Sequence, residues 1–258
     1  MDIKFDIEVK DLIDRLAKAA GGNLAFATSV ALTETAKIAK ANVQAEMRRV
    51  FDRPKPYTIN SVRVEASTRT KLYAFVKIAD STGSQSLPPS KYLEPEIDGG
   101  TRRGKALELA VLQIAAQQRV VALKGVLTGD VQFVPGEGAT LDSYGNMSRA
   151  SANRMLSGLR AWSAEGFTAN ASTKSKAKKK KTGKDFEFFI GLIKGTFGVF
   201  QRFRFAAGSA VRPYFIAVRR PHYRVRLRFN EIIRNTWTDE FPDQFNRAVT
   251  KALLNPKR

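Results

Sequence analysis

From about residue 23 to residue 50 the chain carries one unbroken helical pattern. Leu32, Ala36, Ala39, Val43, Met47 and Val50 recur at steps of three and four, which draws a single apolar stripe along one side. A helix of that span is about 40 Å long, so the stripe needs a partner along most of its length. The many alanines allow that partner to come close, and the stretch reads as a core helix.

Other patterns supply the rest of an α+β chain. Residues 3 to 9 alternate, with Ile3, Phe5, Ile7 and Val9 on one face of a short strand, and a short helix over residues 11 to 22 closes on Gly21 and Gly22. Pro54 and Pro56 end the long helix. "SVRVEAS" and "KLYAFVKIA" then alternate as an antiparallel pair. Lys105 to Val121 reads as a second helix with Leu107, Val111, Ile114 and Ala115 inward. "DFEFFIGLI", "TFGVFQRFRF" and "VRPYFIAVRR" read as three consecutive strands. Pro221 suits a helix start, with Val225, Phe229, Ile232, Ile233 and Trp237 at helical spacing. Arg224, Arg226 and Arg228 also alternate as a strand would, but length and the proline favour the helix. Pro242 would separate it from a final helix, Gln244 to Leu254.

Residues 122 to 184 read as an insertion. It begins with the turn-rich "GVLTGDVQFVPGEGATLDSYGN" and continues in a helix capped by Ser148, with Ala152, Met155, Leu156, Leu159 and Trp162 as its buried face. It ends in "STKSKAKKKKTGK", seven lysines without an acid, a solvated segment too polar to offset the entropy of ordering. The expected architecture is therefore an antiparallel β-sheet with a long Ala-rich N-terminal helix and C-terminal helices, plus a mostly loop and helical insertion. Residues 1–121 and 185–258 would make one core around the insertion 122–184.

Composition removes several classes of function. There is no cysteine, which excludes disulfides, thiolate metal sites and cysteine nucleophiles. His222 is the single histidine, so centres built on several histidines are excluded as well. No apolar run approaches the roughly 18 residues of a membrane-spanning helix. The N-terminus is too charged for a signal peptide, so synthesis in the cytoplasm is expected.

The stretch "KYLEPEIDGGTRRGKALE" looks most like a site. Glu94, Glu96 and Asp98 crowd together before a Gly-Gly turn, and Arg102, Arg103 and Lys105 follow. A metal site or an acid–base pair needs the three acids on one face, which this spacing gives only in a strand, and Pro95 argues against a central one. "GEGA" and "DGGTRRGK" lack the spacing of a phosphate-binding loop. His222 has no carboxylate near it in sequence and reads as a helix-start residue. No catalytic residue, metal ligand or cofactor-binding residue is expected.

Charge is the stronger signal. The chain has 44 Lys+Arg against 24 Asp+Glu, a net +20, with a pI near 10.3. Residues 172 to 184 and 188 to 230 hold 16 of those 20 charges. The first window contributes Lys174, Lys176, Lys178, Lys179, Lys180, Lys181 and Lys184. The second contributes Lys194 and then Arg202, Arg204, Arg212, Arg219, Arg220, Arg224, Arg226 and Arg228, with no acid among them. Side by side these guanidiniums repel, so a common face turned to DNA or to an acidic partner is expected.

Four stretches together resemble a known group of proteins: "ALTETAKIAKANVQAEMRRVFDRPKPYT", "KYLEPEIDGGTRRGKALELA", "PGEGATLDSYGNMS" and the ending "HYRVRLRFNEIIRNTWTDEFPDQFNRAVTKAL". They are similar to tailed-phage and prophage virion morphogenesis proteins, and the layout resembles the minor tail protein Z and tail-completion families. The insertion is not part of the shorter Z-like proteins. The resemblance implies a non-enzymatic virion protein near the neck or tail, made in the bacterial cytoplasm, without a cofactor or a membrane partner. It implies a homo-oligomer, such as a ring, that docks on neighbouring neck or tail proteins with DNA in the channel. In that setting Glu94, Glu96 and Asp98 of one subunit would meet Arg102, Arg103 and Lys105 of the next. The rival expectation is a nonspecific nucleic-acid-binding accessory of packaging or recombination, acting outside the virion.

Overall fold

The computed structural model describes residues 23–81, 87–118, 131–159, 186–205 and 208–254. The strand expected at 3–9, the helix at 11–22 and the lysine segment at 172–184 lie outside them. In chain order the elements are α1 (Asn23–Val50), α2 (Pro56–Ile59), β1 (Val62–Glu65), β2 (Phe75–Ile78), α3 (Pro89–Asp98), α4 (Ala106–Gln117), β3 (Val131–Pro135), α5 (Arg149–Gly158), β4 (Phe186–Ile193), β5 (Thr196–Phe205), β6 (Gly208–Arg219) and α6 (Phe229–Leu254). The fold is α+β, with antiparallel sheets and long helices toward both ends of the described chain. It divides into two units: residues up to Arg102 together with Tyr223 onward, and Arg103–His222.

The first unit is organised on the apolar stripe of α1. Ala36, Ala39, Val43 and Met47 are buried in one cluster with Phe229 and Ile233 of α6, while Val50 is only half-buried. The small alanines let the two helices approach, and Asn42 donates from Nδ2 to the Thr236 hydroxyl at 2.9 Å across their contact. β1 and β2 pair antiparallel with Val62 opposite Ile78, and Val62, Val76 and Ile78 join the same cluster. Leu93 of α3 and Leu227 complete it.

Two expectations for this unit are corrected. The C-terminal helix begins at Phe229, not near Pro221, because the backbone of Tyr223, Arg226 and Leu227 bonds to other parts of the chain. Gly100 and Tyr223 exchange both backbone hydrogen bonds, at 3.1 and 2.7 Å, and the Glu96 carbonyl accepts from the amides of Arg226 and Leu227. Pro242 does not divide the helix either. It sits exposed within α6, and a ladder of Trp237, Phe241 and Phe245, with ring centroids 4.0 and 5.8 Å apart, runs past it. The i, i+4 ring contacts before and across the proline help the helix tolerate the lost backbone bond.

The second unit is a four-stranded antiparallel sheet in the order β3-β6-β5-β4. Lys194 and Gly195, at φ 47° and 77°, form the two-residue turn between β4 and β5. Two positive φ values give the turn whose twist matches the strands it joins. One face of the sheet carries Phe133, Phe188, Ile190, Phe197, Val199 and Phe215, which pack on Val111, Ile114 and Ala115 of α4 and on Met155, Leu156 and Leu159 in and after α5. Ser148 caps α5 by accepting from the Ser151 amide at 3.1 Å.

The boundaries therefore fall elsewhere than expected. Residues 131–159 supply a strand, a helix and part of this core, so the stretch expected as an insertion is built into the sheet unit. β4, β5 and β6, expected to complete the core of the N-terminal part, belong to a core of their own.

Candidate assembly interface

The acid-rich stretch is helical. α3 starts on Pro89, which needs no intrahelical amide partner at that position, and ends at Gly99 and Gly100 with φ of 79° and 95°. Pro95 is buried inside the helix. On a helix, residues two apart face nearly opposite ways and residues four apart share a side. Glu94 and Asp98 are accordingly exposed together, and Glu96 is turned inward, 8% exposed.

A carboxylate is costly to bury unless it is paired or hydrogen-bonded, and Arg226 supplies the partner of Glu96. Its Nε donates to Glu96 Oε2 at 2.7 Å and its Nη2 to Oε1 at 2.9 Å, a bidentate fork. The guanidinium also lies 5.4 Å from the centre of the Phe51 ring. Hydrogen bonding to Glu96 raises the Arg226 pKa above its ordinary value. Glu96 and Arg226, expected at an intersubunit surface and on a polyanion-binding face, are thus joined to each other. With the two amides that meet the Glu96 carbonyl, they form a clasp between α3 and the segment before α6.

The expected partner bases are arranged differently. Arg102 ends one unit, while Arg103 and Lys105 begin the other. Lys105 is the N-cap of α4, and its amide donates to Glu108 Oε2 at 2.7 Å. Arg102, Arg103 and Lys105 all have partners within the chain. Glu108, buried at 3% exposure, also accepts from the Phe133 amide at 3.3 Å and so ties α4 to β3. Sequence reading missed it, because the usual signal for such a cap is Ser, Thr, Asp or Asn three residues before the acid, and here a lysine stands there.

Strand register decides where the sheet arginines point. Residues opposite each other on paired strands share a face, and neighbours along a strand alternate. Arg202 is opposite Glu187, and Arg204, two residues on, shares its side. Arg204 reaches Glu187 at 3.1 Å, and the Arg202 guanidinium lies 4.6 Å from the Phe189 ring. Arg212 is opposite Gln201, two residues from core Val199, and so belongs to the other face, 5.4 Å from the Phe203 ring. Arg219, opposite Val131, shares the core side at the far end of β6. The expected common face is corrected: alternation and the 212-to-219 spacing divide these four between two faces and two ends. Arg220 is half-buried, and Arg224, Arg226 and Arg228 lie in the first unit.

"GEGA" turns tightly after β3, with a Cβ on Gly136 falling 2.6 Å from the Pro213 carbonyl oxygen, so glycine serves a close backbone approach there. His222 is exposed. Lys174 to Lys184 lie outside the described residues. Among the described residues no group of three His, Cys, Asp or Glu could hold a metal ion, and no helix is long and apolar enough to cross a membrane. No family model, no curated protein and no solved structure matches the chain.

Proposed function

We propose that the protein is a non-enzymatic structural part of a tailed-phage particle, a tail-completion or neck component acting at the head–tail joint. It works by assembling with copies of itself and with neighbouring neck or tail proteins, and it reaches the virion from the bacterial cytoplasm where it is made. The four quoted stretches support this reading through their resemblance to virion morphogenesis proteins. The observation that carries it is the clasp. The stretch that most invites a catalytic interpretation holds two chain segments together, and the unpaired charges around it, of both signs, face outward on a single unit. Such a surface suits docking between proteins. Protein composition of purified particles tests the proposal: the chain should be present in several copies per particle, and particles that assemble fully without it overturn the reading.

A second reading, a nucleic-acid-binding accessory of packaging or recombination, draws on Arg204 and Arg212, exposed on the sheet unit. Their division between two faces limits how many phosphates can be met at once. A polyanion site engaging six or more phosphates loses about 10³ in affinity or more between 50 and 200 mM salt. Anisotropy titration with duplex DNA at those two salt concentrations separates the readings, since a structural docking protein binds DNA negligibly at the higher one.

A further inference from the structure

β4 is an outer strand of its sheet, and its outer edge is bare. The order β3-β6-β5-β4 pairs it with β5 alone, without a register shift from Phe186 to Ile193. The two-residue turn at Lys194 and Gly195 closes on Ile193 and Thr196, which therefore bond to each other. Antiparallel pairing alternates, so Glu187, Phe189 and Gly191 also bond to β5. The amides and carbonyls of Phe188, Ile190 and Leu192 point the other way, and among the described residues no further backbone bond reaches them. Sheet edges usually carry a guard against such exposure. β1 carries Arg63 and Glu65, β2 carries Lys77, and β3 ends on Pro135. β4, "FEFFIGLI", has no proline, no lysine and no bulge. Its one charge, Glu187, is held by Arg204 in an exposed pair at 3.1 Å.

The strand is also complementary to itself. Turned about a two-fold axis through Ile190, a second β4 lies antiparallel and sets its Leu192 opposite Phe188. Phe189 then meets the second copy's Gly191, where no side chain obstructs the ring. Glu187 comes opposite the second copy's Ile193, beside its Lys194, so opposite charges meet at both ends. The packed face of the sheet agrees. α5 covers the Phe188 end, where Gly158 lies against the ring and Phe188 is 6% exposed. Leu192, four residues on along the same face and about 13 Å away, is 56% exposed. The two-fold brings the second copy's Phe188, and with it the end of its α5, to the bare Leu192.

We infer that two copies of the chain join through β4, edge to edge and antiparallel about Ile190, so that two four-stranded sheets become one. The inference rests on the assembly reading above and gives it a contact. A second copy is the occupant because its β4 offers bare donors and acceptors at the same spacing, with the opposite charge at each end. Three outward residues on each strand supply about six main-chain hydrogen bonds. The other long stretch of open edge, Gly208–Arg212 in β6, fits less well. It starts on a glycine at φ 153°, brings few apolar side chains and has no acid to meet Lys194. A nucleic acid has no strand to add to the ladder. Because the axis joins the same edge of both copies, the contact closes on two and leaves the other surfaces for larger assembly.

Sedimentation velocity and amide exchange of the full-length chain over a range of concentrations test it. A dimer should form as concentration rises, and the amides of Phe188, Ile190 and Leu192 should gain protection in step with it. Those of Glu187, Phe189 and Gly191, already bonded to β5, should be protected throughout. Leu192→Lys sets a charge where the second copy's Phe188 would lie and should weaken dimerisation by at least about tenfold. Leu192 is exposed in the single chain, so the melting temperature at low concentration should stay near that of the unaltered protein. Glu187→Lys and Lys194→Glu should each weaken dimerisation to a smaller extent, and mixing these two variants should restore it, since opposite charges then meet. A chain that stays monomeric at every concentration overturns the contact, and composition of purified particles then decides the assembly reading separately. A dimer in which the three outward amides gain no protection, or one that Leu192→Lys leaves intact, overturns the contact while the assembly reading stands. Mixed charge variants that associate no better than either alone overturn the antiparallel register.

Discussion

In the helical unit, core partners come from distant parts of the chain: Ala36 and Ile233 share a cluster, and Asn42 reaches Thr236 across 194 residues. In the sheet unit, β4, β5 and β6 follow one another, and the β4–β5 turn takes two residues. Their ion pairs differ in the same way. Glu96–Arg226 spans 130 residues with a buried carboxylate and two short bonds, whereas Glu187–Arg204 spans 17 with both side chains about 60% exposed. A meander holds its register through local turns and ladders. A core closed by segments far apart gains from a directional polar contact that only one arrangement satisfies, because apolar contact alone does not fix how the returning segment lies.

The largest expected effect lies in the sheet core. Phe215→Ala removes the ring stacked 5.0 Å from Phe133 and should cost about 3–5 kcal/mol in urea unfolding. Amide exchange should speed up in β3 to β6 while α1 and α6 keep their protection; equal loss in both would abolish the distinction between the units. Arg226→Met comes next, since it strands a buried carboxylate that accepted two bonds from a charged donor. About 2–3 kcal/mol should be lost, with exchange accelerated in α3 and at the start of α6. Arg204→Met breaks an exposed pair, and a change under about 1 kcal/mol is expected; a cost matching that of Arg226→Met would refute the contrast drawn between the two pairs. The smallest effect is on pH dependence. Hydrogen bonds from Arg49 and Lys77 hold Glu46 and Glu65 below the ordinary 4.5. Their contribution is present above that value and fades as pH falls through the lowered folded-state pKa values. Glu46→Gln with Glu65→Gln should slightly flatten the acid side of the stability profile of the helical unit.

Legibility in the sequence followed the range of the cause. α1 was readable because its stripe repeats every three or four residues, and β4 to β6 because period-two alternation is a local mark. α3 was not. Pro95 and three alternating acids imitate an edge strand, and only the arrival of Arg226 explains why Glu96 faces inward. The same contact hid the true start of α6: Pro221 gave a sound local signal for a helix, and pairing with Gly100 and Glu96 overrode it. β3 went unread because "VQFVP" is short and embedded among turn residues, and its strand character comes from β6. Of the candidate site, the residue types were visible, and which acids remain outward was not. That depends on one helical turn and one distant arginine.

Gly100 and Tyr223 form an isolated β-bridge, and the chain between them contains the whole of Arg103–His222. The path thus leaves the helical unit and re-enters it at a single point. For a loop pinned in this way, each doubling of the intervening length adds only about 0.6 kcal/mol to the entropic cost of closure. The helical unit is nearly indifferent to the size of what is strung between its two halves. The unit strung between them should therefore tolerate a change of length while α1 and α6 still find each other.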